Sequence, residues 1–252
     1  MKTTKIEWTD NTWNPITGCS KISAGCQNCY AERMAYRLQS MRQTKYKNGF
    51  NLTLHYDALK EPLGWKSPHS IFVCSMSDLF HKDIPTNFVD QVMEIIKQTP
   101  RHRYQLLTKR ADRMADYFKD RDIPRNVWLG VTVENCSAKS RIDFLRTLDA
   151  TIRFISCEPL LEDLGALNLT NIDWVIVGGE SGPNGRQMRK EWVLSIQKQT
   201  AGSAFFFKQW GTWGDDQIKR DKYRNGKLIN GIAYQAMPQD YVNLFTENSF
   251  YE

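Results

Sequence analysis

Tyr104-Gln105-Leu106-Leu107-Thr108-Lys109-Arg110, a helical stretch to Phe118, and then Val127-Trp128-Leu129-Gly130-Val131 form the passage that decides the fold. Neither apolar run alternates with polar residues as a half-exposed strand would, so both read as strands buried on two faces. Arg110 to Phe118 has helical spacing. Strand, helix and a second buried strand make a parallel βαβ unit.

The same alternation extends in both directions. Further strands are predicted at Ile71 to Cys74, Ile152 to Ile155, Trp174 to Val177 and Ala204 to Phe207, with helices at Asn87 to Thr99, Ser137 to Leu148 and Lys190 to Gln199. A short strand at Ile6 to Thr9 brings the strands to seven, and a helix is predicted from Tyr30 to Gln43. The expectation is an α/β fold, a partial or complete (β/α) barrel with parallel strands; an open doubly wound sheet is the alternative. Barrel residues 1–214 would carry an aperiodic insertion at about 44–70, followed by a C-terminal extension, 215–252, packing on the barrel. Asn225-Gly226 and Asn230-Gly231 flank Lys227-Leu228-Ile229 and predict a small hairpin there. Neither a GxxxxGK[ST] phosphate loop nor a GxGxxG fingerprint occurs.

In a barrel the C-terminal strand ends share one face, where catalytic groups gather. Here the runs end in Ser75-Met76-Ser77-Asp78, Thr108-Lys109-Arg110, Thr132-Val133-Glu134-Asn135, Ser156-Cys157-Glu158-Pro159, Gly178-Gly179-Glu180-Ser181-Gly182 and Lys208-Gln209-Trp210-Gly211. Helix capping accounts for any one of Asp78, Ser156 or Ser181. It does not account for an acid or base after every strand, so Ser75, Asp78, Lys109, Glu134, Glu158, Glu180 and Lys208 are candidate site residues.

Upstream, Trp13-Asn14-Pro15-Ile16-Thr17-Gly18-Cys19 runs into Gly25-Cys26-Gln27-Asn28-Cys29, so three of the six cysteines lie on one glycine-containing loop. Two residues separate Cys26 from Cys29, a spacing that lets both thiolates meet one metal from a single turn, and the loop lets Cys19 join them. A structural zinc site needs a fourth ligand, for which His55, His69, His81 or Cys74 is available. A cubane iron–sulfur cluster on three cysteines leaves one iron open to a small molecule. Unbridged thiols without metal are the remaining reading. Cys74 and Cys136 read as packing.

Clustered cysteines do not form a secreted disulfide framework and suit a reducing cytoplasm. No apolar run of eighteen residues occurs and the N-terminal residues lack a hydrophobic signal core, so a cytoplasmic protein without membrane insertion is expected. A net charge of +6, with Trp8, Trp13, Trp210 and Trp213 expected near the barrel mouth, suits a nucleotide or nucleic acid, since bases stack on aromatic faces. Arg101-His102-Arg103, Lys109-Arg110 and Arg186 to Lys190 are candidate phosphate contacts, or simply solvated faces. Trp128 and Trp174 lie inside strands and belong to the core.

The chain resembles a family of phage and bacterial three-cysteine-motif proteins of uncharacterised function, itself similar to the radical S-adenosylmethionine (radical SAM) superfamily. The resemblance covers most of residues 5–214. It rests on Trp13-Asn14-Pro15, Gly18-Cys19, Gly25-Cys26, Cys29-Tyr30-Ala31, Ser156-Cys157-Glu158-Pro159-Leu160-Leu161, Gly178-Gly179-Glu180-Ser181-Gly182 and Phe207-Lys208-Gln209-Trp210-Gly211.

It implies a radical-SAM-like barrel with a [4Fe-4S] cluster on Cys19, Cys26 and Cys29 and S-adenosyl-L-methionine on the open iron. Gly178, Gly179 and Glu180 would contact the amino group of that cofactor. From strand-end position alone, Glu134, Glu158 and Glu180 are expected to orient the cofactor or substrate, Lys109 and Lys208 to meet a cofactor carboxylate or a phosphate, and Ser75 to Asp78 to offer polar donors at the superfamily's second-strand position, with Glu158 and Cys157 as catalytic candidates. Cys157 reads either as a small buried residue or as a thiol that returns a hydrogen atom to a substrate radical. The activity implied is reductive cleavage of S-adenosyl-L-methionine to a 5′-deoxyadenosyl radical, fed by an electron donor, to modify or repair a nucleotide or nucleic acid.

Relative to the superfamily pattern, six residues rather than three separate Cys19 from Cys26, Gln27-Asn28 replaces an expected aromatic, and the glycine pair follows a late strand rather than the second. An iron–sulfur nucleic-acid-binding protein without radical chemistry, and a zinc-stabilised nuclease or accessory protein, are the alternative classes. Oligomeric state is not legible.

Overall fold

A computed structural model of the chain describes residues 4–238, which divide into two compact units. The first comprises residues up to Thr132 together with Ser140–Thr151, and the second comprises Val133–Lys139 and the residues from Ile152 onward. The predicted class, α/β with parallel strands, is what both units show.

In the first unit the strands are β1 (Asn11–Trp13), β2 (Ile16–Thr17), β3 (Thr53–Leu54), β4 (Ser70–Val73), β5 (Arg103–Thr108) and β6 (Val127–Thr132). Strands β1, β4, β5 and β6 lie side by side in that order, all parallel. Every residue of β6 is buried, which is why its sequence stays apolar from Val127 to Val131 before Thr132. Helices α1 (Tyr30–Ser40), α2 (Thr86–Gln98), α3 (Ala111–Phe118) and α4 (Arg141–Arg146) complete this unit. Along α2, Phe88, Val89, Val92, Met93 and Ile96 are buried at helical spacing, giving the helix one apolar face for the core.

The first strand is not where the sequence reading puts it. Trp8 is buried, packed edge-on against Phe72, but Ile6 to Thr9 form no strand; β1 begins at Asn11, with Trp13 in register with Val73. Trp13 is fully buried and its indole Nε1 donates to Ala58 O at 2.8 Å, so the strand extends into the segment assigned to the cysteine loop. The insertion is ordered by local turns, one at Thr44–Tyr46 and a longer run of 3-10 helix at Asp57–Gly64, and β3 pairs antiparallel with β2.

The second unit holds β7 (Ile152–Cys157), β8 (Trp174–Gly178) and β9 (Ala204–Gln209), parallel and adjacent in that order, with α5 (Lys190–Gln199) after β8. Together the units thus supply the seven parallel strands expected. A helix over Ser137 to Leu148 does not form as one piece. A 3-10 turn at Cys136–Ala138 belongs to the second unit and α4 to the first, and Lys139 Nζ is drawn to the carbonyls of Leu164 and Ala166 at 2.9 and 2.6 Å.

Near the C-terminus, α6 (Lys222–Asn225) precedes the predicted hairpin, β10 (Leu228–Ile229) against β11 (Ile232–Ala233). Its turn residues Asn230 and Gly231 have φ of 51° and 79°, the paired positive values that a two-residue hairpin turn favours. Beyond it the chain runs antiparallel along β9: Phe207 N–H donates to Tyr234 O at 2.7 Å and Ala236 N–H to Phe205 O at 3.1 Å. The remainder of the predicted extension, 239–252, lies outside the described residues. Among the described residues no helix is long and apolar enough to cross a membrane.

Candidate functional site

The polypeptide leaves β2 at Gly18, whose φ of +81° is the left-handed region that favours glycine. A side chain there would also collide with Asn51 O of the insertion. The loop is fastened on several sides. Gly18 N–H donates to Met76 O at 3.0 Å, Ser77 Oγ donates to Gly18 O at 2.5 Å, and Cys19 N–H donates to Phe50 O at 3.3 Å. Asn14, just past β1, accepts on Oδ1 from both Ser75 Oγ and Met76 N–H at 3.1 Å. The loop is thereby bound to the residues that follow β4.

Asp78 is the hub of this region. It is 7% exposed, and its Oδ1 accepts from Thr108 Oγ1 at 2.7 Å and from Phe80 N–H at 3.0 Å. Its Oδ2 accepts from Lys109 N–H at 3.2 Å and from Arg110 Nη1 at 2.9 Å. Arg110 then reaches the cysteine loop: Nη1 lies 3.6 Å from Cys19 Sγ, and Nη2 donates to Ser20 O and Oγ at 3.1 Å each. Ser20 Oγ also meets His81 Nε2 at 2.6 Å.

Cys19, Cys26 and Cys29 are all partly buried, and none is in a disulfide. Burial and the neighbouring Asp78 push the Cys19 thiol up, against the pull of Arg110. Burial also opposes ionisation of Cys26, but backbone hydrogen bonds at Ile22 and Ser23 and the charge of Lys109 outweigh it, so its thiol sits below the ordinary value. The loop therefore carries one thiol disposed to ionise, the state that binds metal. Cys19 and Cys29 pack against a small apolar cluster of Ala31, Ala35, Phe50 and Met76. Among the described residues, no three His, Cys, Asp or Glu side chains are drawn together as a ready-made metal site.

In the second unit, Glu158 pairs with Lys208, Nζ to Oε1 at 3.1 Å, and both remain partly open to solvent. Gly178 lies against the Glu158 carboxylate so closely that a Cβ there would overlap it, and Gly179 abuts Trp210 O in the same way. Close approach to backbone requires glycine at 179, whereas at 178 the neighbour is the movable end of the Glu158 side chain. Glu180 is 6% exposed and held by Arg186, whose Nη2, Nε and backbone N–H donate at 2.6, 2.8 and 2.9 Å. Glu134 is fully buried, its carbonyl accepting from Leu161 N–H at 3.0 Å. Cys157 is also fully buried, and its thiol is pushed far up by burial and then by Glu158 and Glu134.

Several sequence expectations are corrected. Trp8, Trp13 and Trp210 are core residues at 3%, 0% and 1% exposure and offer no stacking surface. Arg103 is buried with its guanidinium 4.4 Å from the Trp128 ring centre, and Arg101 is tied to Trp65 O and Leu63 O; Arg103 opens β5 and Arg101 precedes it, at the opposite end of the strand from Lys109. Arg110 and Arg186 serve internal carboxylates rather than standing ready for phosphate. Cys136 is exposed, not packed, with Sγ 3.3 Å from Asp163 O. Asn14, Ser20 and the inward role of Arg110 escaped the sequence reading. The adjacent Trp13-Asn14-Pro15 and Thr108-Lys109-Arg110 were the signals that mark them.

With parallel strands and a thiol-bearing loop fastened beside them, the molecule falls in the class of α/β proteins built on parallel strands. The chain belongs to the family described as protein of unknown function DUF5131, which matches residues 3–238. No curated protein matches it. Among solved structures it is similar to a double mutant of spore photoproduct lyase with bound AdoMet and dinucleoside spore photoproduct, at 12% identity over 94% of this chain and 71% of that chain, TM-score 0.43. It is likewise similar to a single mutant of spore photoproduct lyase, at 12% identity over 98% of this chain and 75% of that one, TM-score 0.46.

Proposed function

We propose that the protein is a radical SAM-like iron–sulfur enzyme whose substrate is a nucleotide or nucleic acid. The observation that carries the proposal is the set of three unbridged, partly buried cysteines on one loop that side chains and backbone fasten to the ends of parallel strands. The donor chemistry fits a [4Fe-4S] cluster. Three thiols are available, one of them disposed to ionise, and Lys109 and Arg110 supply positive charge beside them. The sulfurs are not pre-gathered, as is usual for sites that metal binding itself completes.

Cys19, Cys26 and Cys29 would hold the cluster. When bound, the cluster and S-adenosyl-L-methionine supply reductive cleavage of the sulfonium to a 5′-deoxyadenosyl radical. The chain's own contribution is position. Asp78 and Arg110 hold the loop, Ser75 with Asn14 fixes its entry, and Lys109 adds charge near Cys26. For the second unit we propose that Glu158 and Lys208 offer an acceptor and a donor to a polar ligand, with Gly178 and Gly179 leaving room beside them. Glu134 and Glu180 would act as fixed carboxylates, the latter through its pairing with Arg186. Cys157, fully buried with its thiol pushed up by burial and by Glu158 and Glu134, suits the packing reading rather than hydrogen-atom return. An electron donor is needed, and the net charge of +6 suits a polyanionic substrate.

Anaerobic purification tests the reading. A brown protein with about four irons per chain that consumes S-adenosyl-L-methionine after reduction supports it. A colourless protein with stoichiometric zinc overturns it, and iron without cofactor cleavage removes the radical step.

A further inference from the structure

Arg110 is 7% exposed, yet nothing about fastening a loop demands a full charge there. Removing an ion pair from water is costly, and a neutral amide can bond a serine as well. The detail that stands out is where the guanidinium points. Asp78 has both oxygens committed, to Thr108, Phe80, Lys109 and Arg110, so it cannot turn, and the fork of Arg110 cannot turn with it. Nη2 is fixed on Ser20 O and Oγ, which leaves Nη1 shared between Asp78 and Cys19 Sγ at 3.6 Å.

We infer that Arg110 is a positioning residue of the metal centre: it fixes the direction of the Cys19 sulfur and, when that sulfur binds iron, donates a hydrogen bond to it that raises the reduction potential of the cluster. This rests on the cluster reading given above. Hydrogen bonds to cluster sulfurs and nearby positive charge favour the more negative, reduced state. Arg110 supplies both from one rigid group. Lys109, by contrast, bears on Cys26 through charge alone.

Redox titration of the reconstituted protein, followed by electron paramagnetic resonance and paired with iron analysis, tests this. Arg110→Gln should keep its iron but move the oxidised-to-reduced ratio at fixed potential about tenfold toward oxidised, about 59 mV for a one-electron couple. A ratio unchanged within about twofold, with iron intact, overturns the inference while leaving the cluster reading standing. If Arg110→Gln does not fold, Arg110→Lys decides. It keeps the charge beside Asp78 but loses the fork, so a shift of about threefold or more toward oxidised supports the role and an unchanged ratio overturns it. Wild-type protein that takes up no iron removes the cluster reading, and this inference with it.

Discussion

In the first unit a strand-end carboxylate, Asp78, faces an arginine that continues outward to a cysteine sulfur; in the second, Glu180 faces an arginine six residues later that folds back and closes on it. The thiols differ in the same sense. Cys26 is partly exposed and shifted toward thiolate, whereas Cys157 is sealed and shifted away from it. One region presents donors, and the other has spent most of its own internally. Burial of a charged or nucleophilic group therefore does not by itself mark a site; what matters is whether the group's partners leave an atom facing outward.

The most drastic way to break this contrast is Cys26→Ala, which should abolish iron uptake, while Cys157→Ala should leave iron content unchanged; iron analysis after anaerobic reconstitution reads both. Next, alkylation of the native, iron-free protein with mass-spectrometric readout should modify Cys26 at least about a hundredfold faster than Cys157 near neutral pH, and unfolding should erase the difference. Equal native rates would show that the second region is open.

Energetics sharpen the comparison further. Asp78→Ala strands the nearly buried Arg110 without its counter-charge and should cost about 3–5 kcal/mol in urea unfolding. Glu180→Ala should cost less, about 1–3 kcal/mol, because Arg186 is 29% exposed and can turn to water. The reverse order would contradict the roles assigned to the two arginines.

The smallest effect is one of pH. All four histidines lie in the first unit, and each is held below its ordinary value, first of all by burial. For His102, depressed to about 4, the unfolded chain takes up the proton first. Stability is then full above about pH 6.5 and declines as pH falls toward 4, by at most about 3 kcal/mol from this residue. Hydrogen exchange at pH 5 against pH 7 should show loosening in the first unit beyond that in the second; a uniform change would exclude histidine as the cause.

Much of the fold was legible because strands covered on both faces must be apolar throughout, and Val127–Thr132 or Trp174–Gly178 have no other reading. The first strand was not, since Trp13 stands beside the cysteine loop and only its pairing with Val73 shows it to be core. The tryptophans misled for a related reason: an indole N–H can be satisfied inside, as Trp13 and Trp210 are by Ala58 O and Leu228 O, so aromatic content says little about exposed stacking surface. The thiol loop was visible from spacing alone. The role of Arg110 was not, because an arginine becomes internal only when a carboxylate elsewhere receives it, and Asp78 lies 32 residues away.

The antiparallel run of Tyr234 to Ala236 along β9 also bears on how the protein is made. Synthesis completes Ala204-Phe205-Phe206-Phe207 before the segment that covers it, so a nascent chain holds an unpaired, phenylalanine-rich edge until those later residues emerge. Such an edge recruits other strands. Yield should then depend on translation through this short interval, and a chain stopped at Asn230 should collect in inclusion bodies even though every parallel strand is present.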